Sequence, residues 1–336
     1  MRIVLLWLKR IGIGLAGGIF VSVPATMLLW QNRDSIWEMD LAIAEAVNVG
    51  PATVTVTWLG VTTLLFDDGE TQILIDGFFS RPDILDILFR RPVASDAANI
   101  NYVLDEFQMR RLAAVIPVHS HYAHAMDVGA IANRTSASVV GTESTANIAR
   151  GADVPEDQIM LVANGDSLTF GKFTVNFMTS RHVPDGFGDS HLLAGFMSEP
   201  VRQPAVFTEW REGGSWSILI GHPEGTTLVH GSAGFVEDAL SEIEADVAML
   251  SVAGLYRQGL QYTREYWQQT VGRTGAKRVF VIHHDDFTEQ FGRIRLMSKA
   301  FDNVGKSVNW LNEFAGAGEQ HIELLMPTFG VPVSLY

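Results

Sequence analysis

"VHSHYAHAMD", residues 118–127, follows the apolar run "LAAVIPV" (Leu112–Val118) and places three histidines within six positions. A short apolar run bounded by polar residues reads as a buried strand, so the histidines stand where that strand ends. His119 and His121 flank one residue and therefore project to the same side of an extended segment. His124 follows three residues later, where a starting helix would turn it back toward the same centre. Imidazole is a good ligand for zinc and related ions. Three imidazoles at one strand end form the pattern of a metal site rather than of a packed core histidine.

Other histidines close apolar runs in the same way. His182 ends "VNFMTSRH", His283 and His284 end "RVFVIHH", and His230 ends "TTLVH". That recurrence fits a site assembled along one edge of a layered structure. His191, His222 and His321 lie in loops, turns or the tail and read as surface residues.

Around these runs the chain alternates in character. "ATVTVTWLG" alternates over Val54, Val56 and Trp58. "VTTLLFDDGETQILIDGFF" reads as strand, Asp-Asp-Gly turn and strand. Helices are expected over Pro82–Phe89, Leu104–Arg111, Asp127–Arg134 and Ser144–Arg150, with "ASVVGTE" a strand. "SLTFGKFTVNFMTSRHV" and "SWSILIGHPEGTTLVHGSAG" read as further hairpins. Residues 183–211 between them form a long loop, expected as a lid or substrate loop. Helix Val236–Ala245, strand "VAMLSVA", helix Thr263–Thr274, strand "RVFVIHH" and a terminal helix-plus-strand region complete the chain. Hairpins followed by strand–helix units, twice over, predict two sheets packed face to face and covered by helices, an α+β four-layer αββα sandwich.

The 336 residues suffice for one large domain with a sizeable core. The net charge of −14 and the lack of a Lys/Arg cluster beyond the first ten residues exclude a nucleic-acid backbone as the main partner. There is no cysteine, so any zinc must be held by His, Asp or Glu. Arg2, Lys9 and Arg10 precede Ile11–Trp30, which contains no charge and is long enough to cross a bilayer. The segment 1–30 is therefore expected as a signal anchor, or as a signal peptide cleaved near Val23-Pro24-Ala25. Either way residues 51–336 would lie outside the bacterial inner membrane, tethered to it or released as an exported soluble protein. Residues 31–50 read as an amphipathic linker helix.

The series "VTWLGVTTLLFDDGETQILIDGFF", "HSHYAH", His182, "LVHGSAGF" and "VIHHDDF" resembles the metallo-β-lactamase superfamily over roughly residues 51–336. It is most similar to metal-dependent hydrolases related to ascorbate-phosphate lactonases and N-acyl phosphatidylethanolamine phospholipase D. The resemblance implies the metallo-β-lactamase fold and a core motif His-x-His-x-Asp-His. It implies that His119, His121 and His182 hold a first metal ion, and that His124 and His283 serve a second with two aspartates. Two departures stand out. Ala123 occupies the core aspartate position, and Ser232 occupies that of the metal-bridging aspartate. Without those carboxylates two divalent cations would crowd together among neutral imidazoles, so one zinc ion, or another divalent metal, is expected rather than two. Asp285, beside His283, is a candidate substitute ligand or base, as is Asp286. Tyr122 is a candidate for the cleft wall. Asp76 matches a position that supports the histidine loop by hydrogen bonding, and Asp127 is expected to cap the following helix.

These readings predict a hydrolase using a metal-bound hydroxide on a phosphodiester, lactone or related ester. The substrate would be a small molecule or lipid-like, with the anchor holding the site near a bilayer and segment 187–207 contacting acyl chains. The alternative is a degenerate relative that binds metal or ligand without turnover. No Gly-x-Ser-x-Gly elbow and no phosphate-loop pattern is present.

Overall fold

In the computed structural model, which describes residues 30–36, 39, 41–45, 53–184, 193–318 and 321–336, two mixed sheets lie face to face. The first has the order Pro332–Ser334, Thr55–Trp58, Leu64–Asp67, Gln72–Ile75, Leu112–Ile116, Ser138–Gly141, Ile159–Leu161. Its early strands pair antiparallel, and from Gln72–Ile75 onward the pairing is parallel. The second has the order Ala42–Ile43, Glu323–Met326, Arg278–Ile282, Val247–Ser251, Gly225–His230, Ser215–His222, Phe173–Ser180, Ser167–Phe170. It too joins an antiparallel part, built of hairpins, to a parallel part built of strand–helix units.

Alternation along each strand separates the layers. Ile73, Ile75, Ala114 and Ile116 face the inter-sheet core with Phe177, Ile218, Ile220, Met249 and Phe280. Leu74, Leu112 and Val115 face outward and are covered by Ile100, Val103, Ile131 and Ile148 from the helices Ala97–Glu106, Val128–Thr135 and Glu143–Gly151. On the opposite side Ala248, Leu250, Val279 and Val281 pack beneath Tyr266, Trp267, Leu311 and Phe314. Strands buried on both faces explain why the runs read as continuously apolar rather than alternating. The four-layer αββα order expected from the sequence is the one observed.

Several local expectations are corrected. The helix placed over Leu104–Arg111 runs Ala97–Glu106 instead, because Asp96 accepts hydrogen bonds from the amides of Ala98 and Asn99 and starts it early. Gln108, at φ 47°, ends the segment. Residues 236–245 form turns rather than a helix, with Asp238 in the left-handed region at φ 58°. The linker helix expected over 31–50 is replaced, where described, by a helical turn at Trp30–Gln31 and an edge strand, Ala42–Ile43, parallel to Glu323–Met326. The anchor or signal segment expected over 1–30 lies, apart from Trp30, outside the described residues. No helix among the described residues is long and apolar enough to cross a membrane.

Candidate metal centre

The histidines arrive from both sheets at one edge of the sandwich. Leu112–Ile116 delivers the loop carrying His119, His121 and His124, Phe173–Ser180 delivers His182, and Arg278–Ile282 delivers His283. Two backbone bonds tie the histidine loop to its surroundings: Trp216 N donates to Val118 O at 2.9 Å, and Ser120 N donates to Glu212 O at 2.7 Å. Three non-glycine residues with positive φ lie beside the loop: Val61 (51°), Asp76 (59°) and His283 (56°). Each stores backbone strain, and such strain persists only where surrounding contacts over-determine it. Here His283 N donates to Val61 O at 2.9 Å and Asp76 N to Ile116 O at 3.0 Å.

One potential ligand atom from each of His119, His121 and His182 falls within 4.8 Å of the others. Hydrogen bonds fix two of the tautomers, because a carbonyl only accepts. His182 Nδ1 donates to Val183 O at 2.8 Å, which leaves Nε2 with its lone pair. His121 Nε2 donates to Leu193 O at 3.2 Å, which leaves Nδ1. His119 is buried, and neither of its ring nitrogens has a hydrogen-bond partner. Burial, followed by the neighbouring imidazoles, pushes the His119 pKa well below its ordinary value, so the ring is neutral and available as a ligand at pH 7. Buried polar atoms are normally satisfied, so an orphaned imidazole facing two others fits a divalent cation.

His124 and His283 join the cluster. The His124 ring centre lies 3.9 Å from that of His119 and 5.3 Å from that of His283. His124 Nδ1 contacts Asp76 Oδ2 at 2.7 Å and Thr62 Oγ1 at 2.9 Å. Asp76 also accepts from Val118 N at 2.9 Å, as expected of a residue supporting the histidine loop. His283 Nδ1 is buried without a partner. Burial, then the charges that His124 and its other neighbours would carry, pushes the His283 pKa well below normal.

The other proposed residues are placed differently. Asp285 is occupied elsewhere: Oδ1 accepts from Val61 N at 2.7 Å and Oδ2 from Arg81 Nη1 at 3.3 Å. It clamps the Val61–His283 contact rather than offering a base. Asp286 is likewise taken, by Arg33 at 2.6 Å and by the amide and hydroxyl of Thr288. Tyr122 lines the cleft with its ring edge-on to Phe78, Phe207 and Phe287. Burial raises its phenol far above the normal range, so it remains protonated. Asp127 makes no cap bond to its own helix. Its carboxylate instead accepts from Phe79 N and from the amide and hydroxyl of Ser80.

Ala123 and Ser232 both line the cavity, where the resemblance would place carboxylates. Ser232 Oγ accepts from Val183 N at 2.9 Å and so fixes the turn that presents His182. Gly234 belongs to the same device: a Cβ there would meet His182 O at 2.4 Å. His230 is not part of the centre. It is locked between Ser217 Oγ at 2.8 Å and Gly234 O at 2.6 Å. His222, expected at the surface, has a side chain only 5% exposed and packs against Phe173 and Asp68. His191 lies outside the described residues, and His321 is exposed.

The cleft above the histidines has a volume of about 340 Å³ and is walled by Tyr122, Val183, Leu193, Phe207 and Phe287. The described part of the expected lid is docked, not free. Val201 N donates to Asn147 O at 3.1 Å, Asn147 Nδ2 to Met197 O at 2.9 Å, and Ala205–Val206 pairs with Pro92–Val93.

Among known proteins, the chain is 23% identical over 214 residues to a UPF0173 metal-dependent hydrolase of Pyrobaculum islandicum, covering 61% of this chain and 74% of that one. No family model matches. Among solved structures it is similar to CmlA, a diiron β-hydroxylase of Streptomyces venezuelae, with a TM-score of 0.52 and 12% identity, over 85% of this chain and 54% of that one. It is also similar to Igni18, a metallo hydrolase of Ignicoccus hospitalis, with a TM-score of 0.45 and 16% identity, over 84% of this chain and 99% of that one.

Proposed function

We propose that this chain, which has the metallo-β-lactamase fold, is a metal-dependent hydrolase with one divalent ion, zinc in the first instance, held by His119, His121 and His182. The observation that supports it most directly is the orphaned His119 ring facing two imidazoles whose tautomers leave a lone pair each. The likeness to a metal-dependent hydrolase adds support. Three neutral imidazoles leave an open coordination position, the arrangement of a catalytic rather than a structural zinc. A bound ion would supply Lewis-acid polarisation and acidify water.

The chain's own groups do the rest. The apolar walls exclude bulk water, which strengthens every electrostatic interaction inside. Tyr122, held protonated, can donate to a developing oxyanion or leaving oxygen but cannot act as a base. Asp76 holds the strand end and also His124, whose ring packs at a tilt against that of His119. The substrates this site suits are lactones, phosphodiesters and related esters, and the uncharged stretch Ile11–Trp30 supports a placement at the exported face of a membrane.

The test is zinc per chain by elemental analysis on the full-length protein, beside hydrolysis of a panel of lactones, phosphodiesters and carboxylic esters. Near one zinc per chain and turnover that chelation abolishes support the reading. One zinc without turnover on any class would instead support the degenerate relative that binds without catalysis. Absence of any divalent metal overturns the hydrolase reading and leaves only a relative that binds ligand without turnover.

A further inference from the structure

The metal cleft does not end at the histidines. It opens into a second cavity of about 560 Å³, and the two share Tyr122, Leu193, Phe207, Ala253, His283 and Phe287 among their walls. Beyond that shared section, which also holds Arg257, the wall is mostly apolar, with Ile84, Ile87, Leu88, Met297, Phe301 and Trp30 on it beside the polar Asp285, Thr288 and Asp302. At its outer end lie side chains that a soluble surface ordinarily buries. Leu88 is 63% exposed and Phe301 49% exposed, beside Leu85 and Phe89. The helix Ile84–Leu88 has no buried residue at all.

The outer wall is held in place by charge. Arg33 sits in the domain with Nη1 2.6 Å from Asp286 and 2.8 Å from Leu296 O, and its guanidinium lies over the Trp30 ring. Trp30 in turn packs edge-on to Phe301 at 5.1 Å. The buried ion pair thus fixes Trp30 at the lip of the groove. Trp30 is also the last residue of the uncharged stretch Ile11–Trp30. The apolar groove and the most apolar stretch of the sequence therefore meet at one residue.

We infer that this groove is a hydrocarbon-chain subsite, and that the substrate is an amphiphilic ester. Its polar, scissile end would lie at the histidine cluster and its alkyl or acyl chain along Phe287, Ile87 and Leu88 toward Phe301 and Trp30. The inference rests on the hydrolase reading for the scissile end alone. An occupant that reaches the metal cleft through this passage meets carbon on nearly every side, and burying methylenes there is the main source of affinity available. Leu88, Phe301 and Trp30 at the open end let a chain enter from a micelle or a bilayer.

The experiment is binding of hexanoate, decanoate and tetradecanoate to the full-length protein, followed by titration calorimetry with and without zinc. Wild type is compared with Leu88→Glu/Phe301→Glu, whose sites are exposed enough that folding is retained. Zinc per chain and turnover of a short, water-soluble ester are measured on both. Each buried methylene is expected to tighten binding about fourfold at most. Affinity should therefore climb steeply with chain length, whether or not zinc is present. The double variant should lose at least tenfold for tetradecanoate and little for hexanoate, with zinc content unchanged. Equal affinities across the series, with zinc bound and the short ester turned over, would overturn the chain subsite and leave the hydrolase standing. A steep chain-length dependence in a protein that binds no zinc would do the reverse. Delivery of tetradecanoate from phosphatidylcholine vesicles, compared with free monomer, distinguishes the two sources.

Discussion

Asp76 Oδ2 lies 2.7 Å from His124 Nδ1 while Asp76 Oδ1 accepts the Val118 amide at 2.9 Å, so one buried carboxylate ties the strand end to the histidine cluster. Asp76→Asn keeps the side-chain shape and tolerates the left-handed backbone that this position requires. It replaces one acceptor oxygen by an amide facing a donor. The variant should lose about 1–3 kcal/mol of unfolding free energy, read from the urea midpoint at unchanged slope. A loss below about 0.5 kcal/mol would remove Asp76 as the organiser of this loop.

His119 and His230 are both buried histidines at strand ends, and they should behave in opposite ways. His119 has no hydrogen bond to lose, whereas both ring nitrogens of His230 are engaged. His119→Ala is expected to reduce zinc from near one equivalent to near zero. His230→Ala should keep its zinc and lose about 1–3 kcal/mol of stability through the unpaired Ser217 and Gly234 groups. Elemental analysis and denaturant titration on the same preparations separate the two roles, and zinc loss from His230→Ala would contradict them.

His230 also predicts a pH dependence. Burial pushes its pKa down to about 4, against a backbone contact to Gly234 that works the other way. The unfolded chain takes up that proton near pH 6.5, so between these values it binds more protons than the folded protein. Stability is therefore full above pH 6.5 and falls with pH by up to about 1.4 kcal/mol per unit until pH 4. Between pH 7.5 and 5.5 the zinc-free protein should lose about 1 kcal/mol more than zinc-free His230→Gln does. Parallel curves for the two would show that His230 is not the group responsible.

The Arg33–Asp286 pair is nearly inaccessible, at 5% and 0% side-chain exposure. Removing one partner from such a pair leaves an uncompensated buried charge and costs about 3–5 kcal/mol. Arg33→Met should therefore be strongly destabilising, and Arg33→Met/Asp286→Leu should recover most of the loss. A double variant no better than Arg33→Met would mean that Asp286 is stabilised by Thr288 alone.

The sandwich and the histidine loop were legible because both depend on short-range signals, whereas the choice of His182 and His283 among the strand-end histidines came from the resemblance. Apolar runs buried on two faces announce central strands, and polar ligands can stand only where such a strand stops. What escaped depends on partners far away in sequence. Asp285 sits beside His283 along the chain, yet its oxygens belong to Val61 and Arg81, more than 200 positions earlier. Asp127 precedes a helix as a cap would, but the Phe79–Ser80 turn takes its carboxylate. His230 shares the strand-end signature of His182, and only the fold of the Gly231–Gly234 turn shows that its nitrogens are spent. Arg33 was hidden because nothing local marks an arginine that will be buried. The apolar groove was likewise unreadable as a whole, since Trp30, Leu88, Phe287 and Phe301 come from four separate segments.

Ala123 offers the sharpest test of how this centre departs from a two-metal arrangement. It is buried on the cavity wall between His121 and His124, beside Tyr122. A carboxylate placed there would enter the cavity that His124 and His283 also line, and His283 has a ring nitrogen still without a partner. In zinc-free protein Ala123→Asp should be destabilising by about 1–3 kcal/mol, because it buries a carboxylate whose desolvation a single imidazole N–H does not offset. With excess zinc the same variant should bind a second equivalent that wild type does not, and it should regain the lost stability in proportion to that binding. If the stoichiometry stays at one, Ser232 becomes the limiting position, and Ala123→Asp/Ser232→Asp is the variant expected to reach two. A stoichiometry of one in that double variant would mean that His124 and His283 are held by Asp76 and Val61 for structure alone, and that the second site is closed by geometry rather than by a missing carboxylate.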